Sequence, residues 1–315
     1  MISTDVDLAV ARLRAGGLVA VPTETVYGLA ADARQPDAVA RIFEIKGRPT
    51  DHPLIVHLAD PSGIDEWAVH VPDTARRLAE FTWPGPLTML LQRADGVIDS
   101  VTGGRSTIGL RVPSHPMTRR LLARLDSGIA APSANRFGRV SPTTAEHVLA
   151  DIGDRLDPER DLILDGGASS IGIESTIVDL TVDPPQILRA GAITADDLER
   201  ILSGDIADAS GPSRASGMLA AHYAPDRVAV VPAEGPRAAD ALAAQRRERG
   251  ERVAVIDRTD DLVVAAQCLY SDLRAADTGQ FDVLIFVLPP PVGLGHAIRD
   301  RVLKAAAATP TSPTD

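Results

Sequence analysis

The sequence predicts a mixed α/β protein with two units: an N-terminal twisted mixed sheet with helices, and a small Rossmann-like C-terminal domain of three layers. Three observations predict it. Apolar runs of strand length alternate with amphipathic, helix-like stretches over the first two-thirds of the chain. From about residue 203 to 224 the pattern lapses into Gly, Ser, Ala and Asp, as in SGDIADASGPSRASG, a linker composition. After that gap, strand and helix patterns alternate regularly to the end. The division that follows is 1–203 for the first domain, 204–225 for the linker, 226–309 for the second domain and 310–315 for a disordered tail.

In chain order, an amphipathic helix over 6–14 stops at Gly16-Gly17 and leads into a buried strand at 17–21, GLVAV. A helix over 36–45 turns Val39, Ile42, Phe43 and Ile45 inward. Strands are predicted at 54–58, 87–91, 107–112, 128–131, 162–164 and 176–180, and helices at 73–81, 116–125, 143–152 and 194–202. Many of these strands are short and close together, which favours a mixed sheet over a strict run of βαβ units. In the second unit, strands at 227–231, 252–257 and 283–288 alternate with helices at 237–249, 262–276 and 296–307, the pattern of a parallel sheet between helical layers.

Composition narrows the function classes. Hydrophobic residues at 44% and charged residues at 24% are ordinary for a water-exposed globular chain, and aromatics at 3% leave Ala, Val, Leu and Ile to build the core. The single cysteine, Cys268, excludes an intramolecular disulfide and a CxxC metal pair, which fits a reducing, cytoplasmic setting. The N-terminus does not read as a signal peptide, and the longest strongly apolar run, 283–292, is too short for a membrane span. A net charge of −11 argues against a broad nucleic-acid surface, though a local basic pocket stays open. There is no GxxxxGK[ST] loop, no GxGxxG, no zinc-ligand spacing and no GxSxG elbow.

Polar clusters follow or precede the apolar strands repeatedly. Pro22-Thr23-Glu24-Thr25 follows VAV, Pro132-Ser133-Ala134-Asn135 follows GIAA, and Gly172-Ile173-Glu174-Ser175-Thr176 precedes another apolar run. Each can be a cap or turn, or part of a ligand site at strand ends. Lys46-Gly47-Arg48 sets an ammonium and a guanidinium on either side of a glycine. The two can converge on an anion, or lie solvated at a helix C-terminus. Arg111, within the apolar run Ile108-Gly109-Leu110-Arg111-Val112, needs an acidic partner or a ligand if that strand is buried. Arg189 poses the same question, and His57, ending the run Leu54-Ile55-Val56-His57, is equally a ligand-facing or a core histidine.

The sequence carries seven ordered motifs: Pro22-Thr23-Glu24-Thr25-Val26-Tyr27-Gly28-Leu29, Phe43-Glu44-Ile45-Lys46-Gly47-Arg48-Pro49, Pro53-Leu54-Ile55-Val56-His57, Trp83-Pro84-Gly85-Pro86-Leu87-Thr88, Ala131-Pro132-Ser133-Ala134-Asn135, Ser141-Pro142-Thr143 and Glu174-Ser175-Thr176-Ile177-Val178-Asp179. Together they closely resemble the YrdC-type threonylcarbamoyl-AMP synthases, from about Leu13 to Gly191. The remainder is similar to the long, two-domain form, through His222-Tyr223-Ala224-Pro225 and Gly293-Leu294-Gly295-His296-Ala297-Ile298.

The resemblance implies condensation of L-threonine, bicarbonate and ATP to threonylcarbamoyl-AMP and pyrophosphate, with Mg²⁺ accompanying ATP. The product would pass to a separate threonylcarbamoyl-transfer complex acting on tRNA. It places Thr25, His57, Arg111, Ser175 and the backbone at Ala131 on threonine. It places Lys46, Arg48, His52, Thr107, Ser133, Asn135, Ser141, Arg189 and Tyr223 on the nucleotide, with Lys46, Arg48 and Arg111 nearest the chemistry and no protein-held metal.

Two departures stand out: His52 occupies a place where the family commonly has Asn, and the linker Ser216-Gly217-Met218-Leu219 lacks the Pro-Gly opening of many relatives. A non-catalytic RNA-binding module is the alternative function. A carbamoyl-transfer enzyme related to hydrogenase maturation factors is a third, but the chain lacks the cysteines of their zinc fingers.

Overall fold

The computed structural model describes residues 1–211, 215 and 221–308. Residues 216–220 of the expected linker and the expected tail at 310–315 lie outside the described residues. By internal contacts the chain forms two units. The first takes in Met1–Phe137, Pro142–Ser170 and the described chain from Glu174 to Ala215. The second takes in Gly138–Ser141, Ile171–Ile173 and the described chain from Ala221 onward.

The first unit runs β1 (Ile2–Ser3), α1 (Val6–Arg14), β2 (Val19–Val21), β3 (Gly28–Asp32), α2 (Pro36–Lys46), β4 (Ile55–His57), α3 (Ile64–Trp67), α4 (Asp73–Thr82), β5 (Leu87–Gln92), α5 (Asp99–Thr102) and β6 (Thr107–Arg111). It continues α6 (Pro116–Leu125), β7 (Ile129–Ala130), α7 (Ala145–Ile152), β8 (Leu162–Leu164), β9 (Thr176–Asp179), β10 (Gln186–Arg189), α8 (Ala195–Leu202) and β11 (Ala207–Asp208). The strands form one sheet of eleven in the order β1-β8-β2-β3-β7-β4-β6-β5-β9-β10-β11. Parallel and antiparallel pairs are mixed along it, as expected from the short, closely spaced runs.

Four short strands escape a reading by pattern. Gly28–Asp32 is GLAAD, small residues with little strand preference, yet it is buried between β2 and β7 and extended by pairing with both. Ile2–Ser3, Gln186–Arg189 and Ala207–Asp208 are too short for a periodicity, and the last lies within the stretch expected as linker. The two strands at the sheet's edges, β1 and β11, have two residues each.

Alternation along the strands gives the sheet two faces. One carries Ala20, Leu29, Ala130, Val56, Leu110, Met89 and Val178 into a single core beneath α2, α4 and α7. On the other, α1 and α6 cover Val19, Val21, Ala30, Ile129 and Leu162. Farther along that second face, β4, β6, β5 and β9 present Ile55 and His57, Gly109 and Arg111, Thr88, and Ile177 in place of a continuous apolar surface. This stretch is where the chemistry gathers.

One buried carboxylate ties the core layers together. Asp161, fully enclosed, accepts from Arg41 Nη1 and Nη2 at 2.9 and 2.8 Å, from the Leu18 amide at 2.8 Å and from the Asp157 amide at 2.9 Å. Four donors satisfy a charge that would otherwise be expensive to bury.

The second unit runs β12 (Ala229–Ala233), α9 (Pro236–Glu248), β13 (Val253–Ile256), α10 (Leu262–Thr278), β14 (Val283–Val287) and α11 (Leu294–Ala308). Its sheet is parallel throughout, in the order β12-β14-β13. Val283, Ile285 and Val287 pack against Ala239 and Ala243 of α9. Leu284 and Phe286, equally buried, point the other way. The strand–helix alternation of the sequence is thus a small parallel sheet.

Candidate active site

Arg111 ends β6 directly opposite His57, the last residue of the parallel neighbour β4. Its side chain is buried, and each guanidinium nitrogen makes one contact: Nε donates to the Gly85 carbonyl at 3.2 Å, Nη1 to Thr25 Oγ1 at 2.9 Å and Nη2 to Glu24 Oε1 at 2.7 Å. The acidic partner that a buried Arg requires is therefore Glu24, two chain segments away. Burial pushes the Glu24 carboxyl up, but the charge and hydrogen bond of Arg111 and the Ser114 amide outweigh it, holding the group below the usual carboxylate range. Thr25 Oγ1 also meets Thr23 Oγ1 at 2.8 Å.

His57 is fully enclosed, and burial with the neighbouring Arg111 charge lowers its pKa to about 3. The imidazole is neutral at physiological pH. No hydrogen-bond partner for its Nδ1 is found among the described residues. Ser175, one residue before β9, meets Thr88 Oγ1 at 2.8 Å and receives Arg189 twice, Nε on its carbonyl and Nη2 on its hydroxyl, each at 2.9 Å. Arg189 comes from the end of β10, paired with Ile177 of β9. Thr25, His57, Arg111, Ser175 and Arg189 thus share one buried polar region.

Lys46 and Arg48 bracket the end of α2. Gly47 takes a left-handed conformation (φ 62°) at the helix C-cap, and its amide and that of Arg48 return to the Glu44 and Phe43 carbonyls. The turn sends Lys46 inward, where Nζ donates to the carbonyls of Ser133 at 2.6 Å and Asn135 at 2.5 Å. Burial, then the charge of Arg48, pushes the ammonium well below the usual lysine range. Arg48 donates to the Pro53 carbonyl at 3.1 Å and lies over the Phe137 ring at 5.8 Å. Burial and the Arg189 charge lower its pKa to about 10. After burial, the charge of Arg48 lowers Lys46 and that of Arg189 lowers Arg48; a phosphate beside these cations would offset that repulsion.

The loop 132–135 is laced to its surroundings by backbone bonds, Leu29 N to the Pro132 carbonyl at 2.8 Å and Ala134 N to the Tyr27 carbonyl at 2.8 Å. Asn135 Nδ2 donates to the Arg136 carbonyl at 2.7 Å, and Ser133 is half-buried. The Ala131 amide is taken by the Ile55 carbonyl at 3.0 Å. His52 sits edge-on to Phe137, ring centroids 5.4 Å apart, beside Arg48. Its imidazole is depressed by burial and then by Arg48. Thr107 begins β6, at the opposite end of the strand from Arg111, and pairs with Gln92.

Ser141 and Tyr223 belong to the second unit. Tyr223 is buried there at φ 65°, 5.5 Å from the Tyr270 ring, with Arg301 over its face at 5.7 Å. Glu24, Thr88 and Ser114 were not singled out from sequence. Glu24 could have been: it is the one acid in the loop after β2, and Arg111 was already a buried cation in search of a partner. Chemically the region offers a cationic corner at Lys46, Arg48 and Arg189, and a hydroxyl-lined corner around the Arg111–Glu24 pair.

Comparison with known proteins agrees along nearly the whole chain. The family model Sua5_yciO_yrdC, described as telomere recombination, matches residues 11–191, and a second, described as threonylcarbamoyl-AMP synthase C-terminal domain, matches 193–307. The chain is 38% identical to the threonylcarbamoyl-AMP synthase of Pyrococcus abyssi, over 95% of this chain and 93% of that one. To the Bacillus subtilis synthase it is 37% identical, over 95% and 92%. The crystal structure of P. abyssi Sua5 complexed with L-threonine superposes with a TM-score of 0.90 at 37% identity, covering 96% and 94% of the two chains.

Proposed function

Because this chain belongs to the Sua5–YciO–YrdC family and carries the threonylcarbamoyl-AMP synthase C-terminal domain, we propose that it condenses L-threonine, bicarbonate and ATP to threonylcarbamoyl-AMP and pyrophosphate. Relatives aligned over 95% of the chain bear the name of that synthase, and the P. abyssi structure holds L-threonine. These findings favour the enzyme over a non-catalytic RNA-binding module.

The observation that carries the reading is the Lys46 ammonium, buried and donating to the carbonyls of Ser133 and Asn135 with Arg48 and Arg189 nearby. Such a corner is built for a polyanion, and among these substrates that is ATP. The threonine amine and bicarbonate would first give the carbamate, a C–N bond forming as water leaves; one carbamate oxygen would then attack the α-phosphorus, forming one P–O bond as the bond to the leaving pyrophosphate breaks. The carbamate is already nucleophilic, so the protein's work is to orient two anions and offset their charge. Arg111 would take the threonine carboxylate. Thr25, His57 and Ser175 would surround the amine and hydroxyl, and neutral His57 would add no charge of its own.

Among the described residues no three of His, Cys, Asp and Glu lie together as a metal site. Mg²⁺ is placed on the ATP phosphates, where it would neutralise charge, and no residue is assigned to it. No helix of the described residues is long and apolar enough to cross a membrane. The acyl-adenylate would pass, in the cytoplasm, to a separate complex that modifies tRNA. The decisive assay is pyrophosphate release by the purified chain with Mg²⁺-ATP and bicarbonate: it should depend on L-threonine, and threonine-independent or absent release would sink the reading.

A further inference from the structure

We propose that Glu24 is a positioning residue for the amino-acid substrate: it fixes the Arg111 guanidinium in one orientation, leaving two N–H groups for the substrate carboxylate. The inference rests on the reading that Arg111 receives that carboxylate.

The geometry is a closed clamp. Glu24 and Arg111 are 5% and 3% exposed, so water cannot stand in for either partner. Glu24 Oε1 accepts from Arg111 Nη2 at 2.7 Å, while Oε2 accepts from the Ser114 amide at 3.0 Å. Ser114 lies three residues beyond Arg111, so the carboxylate is anchored to the very segment whose side chain it orients. The next residue, Thr25, takes Nη1 at 2.9 Å, and the Gly85 carbonyl takes Nε at 3.2 Å. A guanidinium has five N–H donors. Each nitrogen spends one here, so five less three leaves two, one on each terminal nitrogen. Two N–H groups are what a carboxylate accepts in a paired contact.

The loop 22–25 thus does two things at once. Thr25 is itself expected at the substrate, and Glu24 sets the angle of the cation that meets it. Glu24 stays ionised at neutral pH, because Arg111 and the Ser114 amide outweigh the effect of burial. Without the carboxylate the guanidinium keeps only the Thr25 and Gly85 contacts and can turn about Nε, and with a neutral amide in its place the Nη2 contact loses its charge assistance. The alternative, that the pair only fastens the loop to β6, makes a different prediction: stability would fall and both substrates would be affected alike.

The experiment compares full-length wild type with Glu24→Gln, Glu24→Ala and Arg111→Ala, varying threonine and ATP separately and reading pyrophosphate release. Arg111→Ala should raise the KM for threonine and leave that for ATP near its starting value. Glu24→Gln, close to isosteric, should raise the threonine KM about tenfold, the effect of one charge-assisted hydrogen bond, with the ATP KM within about twofold. Glu24→Ala should do at least as much, and should it not fold, Glu24→Gln decides. If Arg111→Ala raises the threonine KM but the Glu24 variants do not, the positioning role is overturned and the role of Arg111 stands. An equal rise in both KM values also overturns it, in favour of a purely structural pair. If Arg111→Ala leaves the threonine KM unchanged, the underlying reading fails and the proposal with it.

Discussion

Arg189 grips Ser175 by two hydrogen bonds of equal length, Nε to the carbonyl and Nη2 to the hydroxyl, each at 2.9 Å. One residue was expected on the nucleotide and the other on threonine, so the two halves of the region share a rigid joint. Thr88 Oγ1, 2.8 Å from the same hydroxyl, completes it.

Coupling between the substrates should follow. Ser175→Ala removes the hydroxyl shared by Arg189 and Thr88, so the KM values for threonine and ATP should both rise, by about three- to tenfold. A double-mutant cycle with Arg189→Lys should give a coupling of about 0.5–3 kcal/mol. Additive effects of the two changes would show the joint to be incidental.

Lys46→Met should separate stability from activity. Removing the ammonium relieves a desolvation penalty of several kcal/mol and deprives two buried carbonyls of a donor at about 1–3 kcal/mol each. These oppose one another, so chemical denaturation should shift by less than about 2 kcal/mol. Turnover at fixed ATP should fall by about 10²-fold or more, as expected when a preorganised donor aimed at developing charge is lost. Retained turnover would remove Lys46 from the chemistry.

Acid stability offers a test of His57. Its folded pKa of about 3 lies below the ordinary 6.5, so between those values the unfolded chain binds a proton that the native chain refuses. Stability on this account is complete above pH 6.5 and is lost as pH falls toward 3, by up to about 1.4 kcal/mol per pH unit. Denaturation of His57→Asn between pH 4 and 7 should show a shallower decline than wild type. Parallel curves would mean that the imidazole is hydrated in the native state.

Arg41→Met should be among the more damaging single changes outside the site. It strands the enclosed Asp161 carboxylate with only the Leu18 and Asp157 amides, at a cost of about 3–5 kcal/mol. Adding Asp161→Asn should recover part of the loss, which urea titrations of the three proteins would measure.

Much of this architecture could be read beforehand wherever a segment is long and periodic. The helices at Val6–Arg14 and Pro116–Leu125 and the strand Leu162–Leu164 have the boundaries their patterns predict. Gly28–Asp32 was not legible because its extended form depends on neighbours distant in sequence, not on its own small residues. The site divides similarly. Arg111 was visible as a cation inside an apolar run, and Lys46 and Arg48 as two cations flanking a glycine at a helix end. Their partners were not: Ser133 and Asn135 meet Lys46 through backbone carbonyls, which no side-chain motif announces. Arg111 meets Glu24 across 87 residues of chain.

The edges of the large sheet bear on behaviour in crowded solution. An open sheet of eleven strands would ordinarily present two long rows of unsatisfied amides and carbonyls, templates on which another copy could add a strand. Here the rows are only two residues long, at Ile2–Ser3 and Ala207–Asp208. A second chain finding either edge could form very few ladder bonds before the register ran out. Resistance to aggregation is thus set by where the sheet stops, and lengthening β1 or β11 with apolar, strand-forming residues would erode it before it touched catalysis.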